Sequence, residues 1–215
     1  MEVRTNLSRW LILLCATFGL LMLTVACSST GAEPNSAEIQ PIIHNAETSS
    51  QSAELNQTAG TDDYNTVISV LTSPRCINCH PSDDRPRQRD EQIDHILLVE
   101  RGADNHGGPV QTCSTCHHEE NNDYSNVPGA PHWGLAPKSM GWLGLSDAEI
   151  AATLIDPAKN GERSFDDLIH HMSNDALVLW AWNPGEGRTT PPVPHDEFVQ
   201  ALTAWLEAGA PIPSE

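Results

Sequence analysis

Apolar residues are unevenly spread along this chain. Leu11 to Ala26 is almost wholly apolar, behind a short start carrying Arg4 and Arg9. Residues 28 to 61 then hold few apolar side chains, with only Ile42 and Ile43 adjacent, among Ser, Thr, Asn, Gln and Glu. Beyond that the pattern becomes periodic. Ile93, Ile96, Leu97 and Glu100 predict a helix within 89–101, stopped by Gly102. Ser146 and Glu149 form a capping box that opens a helix limited by Pro157. Phe165, Leu168, Ile169 and Met172 mark a short amphipathic helix over 164–172. A compact apolar run covers 176–182, and a Pro- and Gly-rich loop covers 183–194. A closing helix over 195–208 places Phe198, Leu202, Trp205 and Leu206 on one side, ending at Gly209 and Pro211.

The first two regions divide the chain. Residues 1–26 have the basic start and apolar stretch of an export signal. Ala26-Cys27 at its end resembles a lipoprotein cleavage box, with Thr24 where that box usually has Leu; cleavage after Ala26 without lipid and an uncleaved anchor are the rivals. Each puts the remainder outside the cytoplasm, and lipid on Cys27 would tether it to a membrane. Residues 27–61 cannot bury enough apolar surface to offset the entropy of ordering, and read as a flexible tether. Residues 62–215 are the folded domain, expected to be mostly α with long irregular loops.

Charge narrows the function. The 215 residues carry 29 acids and 11 bases, a net −18. Loss of residues 1–26 leaves 28 acids and 9 bases, a net −19. Such a chain has no basic face with which to neutralise phosphates, so nucleic acid is excluded as a partner. The charge either keeps an exported protein soluble or steers a basic partner toward it.

Cysteine and histidine carry the chemistry. Cys15 leaves with the signal. The remaining four cysteines after Cys27 fall into two identical motifs, Cys76-Ile77-Asn78-Cys79-His80 and Cys113-Ser114-Thr115-Cys116-His117. C-x-x-C-H is the attachment motif of c-type haem. One helical turn carries two sulfurs to two vinyl groups on one porphyrin edge, and the next His turns its imidazole under the iron. A four-cysteine zinc site usually separates its pairs by about 15–20 residues; here 33 residues lie between Cys79 and Cys113, and both histidines would be idle. A thioredoxin-like pair lacks its βαβ surroundings. Two disulfides would leave the histidines unexplained. The motifs therefore predict two covalently bound haem c groups, held by Cys76, Cys79, Cys113 and Cys116, with His80 and His117 as proximal iron ligands. Candidates for the opposite faces are His95 and His106, either of which is expected to reach the first haem, and Met140 and then His132 for the second. His118 reads as solvated, Met172 as core, and at most one of His170 and His171 faces a haem.

Residues 62–211 resemble dihaem c-type cytochromes. The segments around the two motifs look like those of dihaem proteins described as isoquinoline 1-oxidoreductase-associated cytochrome subunits. The choice of Met140 follows from the resemblance: in class I cytochromes a Met in an extended loop shortly after a Pro supplies the sixth ligand, as Pro137 precedes Met140 here. The closing helix likewise resembles the C-terminal helix that crosses the N-terminal helix beside the haem. The resemblance implies an electron carrier, or an electron-transfer subunit of an oxidoreductase. Its partners would be a dehydrogenase, a quinol oxidase or another cytochrome. A His/Met site at the second motif would then sit at higher potential than a bis-His first site. The alternative is a dihaem peroxidase-like enzyme, although such enzymes are usually longer, with their motifs in two domains.

Overall fold

A computed structural model describes residues 60–214, and the export signal and all of the tether except its last two residues lie outside them. Helix accounts for 42% of the described residues, and strand for little. The first helix, α1, covers 60–71, so Gly60 and Thr61, assigned to the tether from composition, are already helical. Next come α2 (Pro74–Ile77) and two small antiparallel hairpins, β1 (Arg87–Gln88) with β2 (Ile93–Asp94) and β3 (Gly107–Gly108) with β4 (Gln111–Thr112). The second half holds α3 (Asp147–Ile155), α4 (Pro157–Asn160), α5 (Phe165–Asn174), α6 (Ala176–Leu179) and α7 (His195–Glu207). Among the described residues no helix is long and apolar enough to cross a membrane.

The periodic segments fold as their patterns require. Both halves of the Ser146–Glu149 capping box are formed at the start of α3. A second box, Ser164 with Asp167, starts α5. Helix α7 buries Phe198, Leu202, Trp205 and Leu206, as its apolar stripe demands. Helix α1 packs on it, with the Tyr64 and Trp205 rings 6.1 Å apart. Val67, Ile68 and Leu71 of α1 join the same core, along with Ile150 and Leu154 of α3 and Leu168 of α5. α5 packs against both α6 and α7.

Residues 89–101 depart from the predicted helix. Arg89 and Gln92 have φ of 63° and 54°, which close a hairpin turn instead. Asp90 pairs with Arg75 and Asp94 with Arg87, and both pairs hold the hairpin down. The apolar spacing is real, but Ile93, Ile96, Leu97 and Leu98 remain exposed, with no protein core beneath them. Ile96 and Leu97 face a cavity.

More than half of the described chain is irregular, and side chains close its backbone hydrogen bonds. Asn160 is buried; its amide donates to the Leu154 and Arg163 carbonyls at 2.9 and 3.3 Å, and its carbonyl accepts from Arg163 N–H at 2.8 Å. Asn160→Ala is expected to destabilise the domain by about 2–3 kcal/mol, because buried backbone groups lose their partners. A urea-unfolding midpoint checks this, and a loss under about 0.5 kcal/mol would contradict it.

Candidate cofactor site

The first motif lies on a helical turn. Ser73 is extended and Pro74 takes the first helical position, where its fixed φ and missing N–H suit a helix start. Cys79 N–H donates to the Cys76 carbonyl at 3.1 Å and His80 N–H to the Ile77 carbonyl at 3.0 Å. The turn ends with His80 pointing at the 140–143 segment. His80 Nδ1–H donates to the Met140 carbonyl at 2.7 Å. The His80 ring lies flat on Trp142, with centroids 3.6 Å apart and planes at 12°. This segment passes so close to the motif that a Cβ on Gly141 would stand 2.7 Å from Ser82 Cα, so glycine is required there.

The second motif repeats the arrangement on a tighter 3-10 turn, Cys113–Thr115, directly after β4. His117 N–H donates to the Cys113 carbonyl at 2.9 Å. His117 Nδ1–H donates to the Pro128 carbonyl at 2.7 Å, and its ring stacks on Trp133 at 4.6 Å and 6°. Trp133 in turn meets Trp180 edge-on at 4.7 Å.

In both histidines the carbonyl fixes the proton on Nδ1 and leaves the Nε2 lone pair without a partner among the described residues. Burial lowers the His80 pKa to about 4, against the opposing hydrogen bond to Met140, and burial lowers that of His117 as well. Both rings are thus neutral at pH 7, with one nitrogen held and the other available. A metal-ligating imidazole has this form, its second nitrogen oriented by a carbonyl.

Burial pushes the Cys76 thiol up to about 11 and Cys79 to about 12, and raises Cys113, so with no group bound these thiols are protonated at pH 7. All four thiols are free, and among the described residues no group of three or more His, Cys, Asp or Glu side chains could hold a metal ion together. Neutral sulfur, as in a thioether, suits these surroundings.

Between the motifs lies a cavity of about 710 Å³, within the usual range for cofactor sites of about 300–1,000 Å³. Cys79, Cys113, Cys116, His95 and His117 line it. So do Arg75, Arg87, Arg89 and Arg188, four of the nine basic residues after the signal in a strongly acidic chain. Arg75 is buried beside Trp180, its guanidinium 5.9 Å from that ring, and its Nε has no hydrogen-bond partner. Trp142 Nε1, next to His80, is likewise buried without an acceptor. On the cavity wall itself, Arg75 Nε and Asn78 Oδ1 are both buried without partners, one donor and one acceptor.

The other candidates separate. His95 follows β2 and reaches the second motif, with its ring centre 6.2 Å from that of His117. His106 also belongs there rather than at the first motif: its carbonyl accepts from Cys113 N–H at 2.8 Å, and its exposed ring packs on Gly134. Met140 is buried in the main core, and its carbonyl anchors His80, so it is brought to the first motif and not the second. His132 is exposed, with φ of 57°. His118 is exposed and Met172 is core, as expected. His171 is half-buried, 3.4 Å from Asp175.

The stacking tryptophans and the arginines were not singled out from sequence. A Trp a few residues from each anchoring carbonyl is the one signal that could have marked the former. No family model matches the chain, and no curated protein or solved structure matches it either.

Proposed function

We propose that the protein is an exported dihaem c-type cytochrome that carries electrons between redox partners. What supports this is the duplicated geometry. Two C-x-x-C-H turns each present a neutral imidazole, tied at Nδ1 to a carbonyl at 2.7 Å, stacked on an indole, and free at Nε2. A merely structural histidine does not need the same three constraints twice.

In this reading Cys76, Cys79, Cys113 and Cys116 would hold the groups, and His80 and His117 would each offer a nitrogen donor to the iron. Haem iron, when bound, supplies one-electron oxidation and reduction. The chain's own residues set the surroundings. The Met140 and Pro128 carbonyls orient each imidazole and raise its basicity. Trp142 and Trp133 keep one face of each ring dry. Arg75 and Arg188 offer positive charge to carboxylates within an otherwise acidic molecule. Arg188 is held there by Asn126, donating to its side-chain and backbone oxygens at 2.8 and 2.6 Å. Cys79, Cys113 and Cys116 border one cavity, which favours two groups close together and rapid exchange between them. Lipid on Cys27 would keep the domain at a membrane surface, where a dehydrogenase, a quinol oxidase or another cytochrome could reach it.

Intact mass and absorption spectra of the exported protein test this. The expected result is two porphyrin masses per chain, a low-spin spectrum and reversible reduction. A colourless protein, with its four thiols titratable or holding zinc, overturns it. A high-spin ferric resting spectrum with peroxide turnover would favour the peroxidase-like enzyme instead.

A further inference from the structure

We propose that His95 is the second axial ligand at the second motif, so that His95 and His117 bracket one iron as a bis-imidazole pair. This rests on the dihaem reading above and goes beyond it by assigning the opposite face. A metal–imidazole bond is about 2.0–2.1 Å, and a ring nitrogen lies about 1.1 Å from its ring centre, so two imidazoles on opposite sides of one metal ion have centres about 6.2–6.4 Å apart. The His95 and His117 ring centres are 6.2 Å apart. The two rings stand edge-on to each other, and both line the cavity together with the two second-motif cysteines.

Each ring is also correctly poised. His95 Nδ1–H donates to the Leu97 carbonyl at 3.2 Å and His117 Nδ1–H to the Pro128 carbonyl at 2.7 Å, which leaves Nε2 on both without a partner. The hairpin explains how His95 arrives. Its N–H donates to the Pro86 carbonyl at 2.9 Å, continuing the β1–β2 pairing by one step, while the turn at Arg89–Gln92 is pinned through Asp90 to Arg75. Ile96 and Leu97 then flank His95 on the cavity wall, their exposure matching a missing apolar face. Two nitrogen donors at this site remove the reason for giving the second motif the higher potential, since thioether ligation raises it.

The two imidazole planes stand at 71°, which predicts a spectroscopic signature. Frozen ferric holoprotein is expected to show the highly anisotropic low-spin resonance of an iron whose imidazole planes are far from parallel. In His95→Ala, half of the total haem is expected to turn high-spin, with added imidazole restoring it. His95→Met is expected to return it to low spin with a sulfur-to-iron near-infrared band. His106→Ala is expected to change nothing. Intact mass on the same samples counts the porphyrins. Two porphyrins with both haems still low-spin in His95→Ala, or a wild-type resonance lacking the anisotropic signal, overturn the assignment and leave the dihaem reading intact. A wild-type chain with no porphyrin overturns both. Should His95→Ala fail to accumulate, the wild-type resonance alone still decides.

Discussion

The Cys113→Ser, Cys116→Ser double variant is expected to carry one porphyrin instead of two and to lose its native packing. The motif sits on a single 3-10 turn between β4 and the Pro128 carbonyl, and apart from that turn few apolar contacts hold it. Without a covalent group the cavity of about 710 Å³ stays open, with Ile96 and Leu97 exposed on its wall. The expected state keeps much of its helix, since α1, α3, α5 and α7 form a separate core, but loses fixed packing around the motif. Mass spectrometry, with near-ultraviolet and far-ultraviolet circular dichroism, reads both effects. Retention of two porphyrins, or an unchanged near-ultraviolet spectrum, would refute the expectation.

Arg101→Met is expected to cost about 3–5 kcal/mol. The guanidinium is only 5% exposed. It donates to the Pro81 and Asp83 carbonyls and to Asn105 Oδ1, each at 3.0 Å, and to the Ala136 carbonyl. Removing it leaves three backbone acceptors without partners in a place water reaches poorly, at about 1–3 kcal/mol each before relaxation. The acceptors span the loop after His80 and the segment whose Ala136 N–H bonds the Cys79 carbonyl, so the damage falls on the first motif. Arg101→Lys should recover less than half, because an ammonium cannot fork to several acceptors at once. Urea-unfolding midpoints for the pair check this, and a cost under about 1 kcal/mol for the methionine variant would show that the fork is not structural.

Helices α3 and α5 were legible because apolar period and caps agree there, α7 from its apolar stripe and the Gly209 stop, and each buries its stripe in the common core. Residues 89–101 had the period without the destination. Their apolar side chains face a cavity rather than a protein core, and Asp90 and Asp94 are drawn to Arg75 and Arg87, which favours a hairpin over a helix. The two C-x-x-C-H motifs are legible from spacing, and the structure puts each on a turn. Their supports were not legible that way. The carbonyl that anchors His80 lies 60 residues away, and Arg75 and Arg188 meet at one cavity from 113 positions apart. The resemblance offered Met140, after Pro137, for the second site, while in the structure its carbonyl meets His80 of the first motif.

The two motifs differ in how deeply their sulfurs lie, and on the dihaem reading proposed above that difference would order maturation. Cys76 packs against the main core with its thiol protonated, whereas Cys116 is exposed. A group joined at Cys76 would have to arrive before the main core packs against that sulfur, while Cys79 opens on the cavity. The second pair stays reachable afterwards, so assembly would run from the amino-terminal end inward, one attachment before folding and one that folding permits.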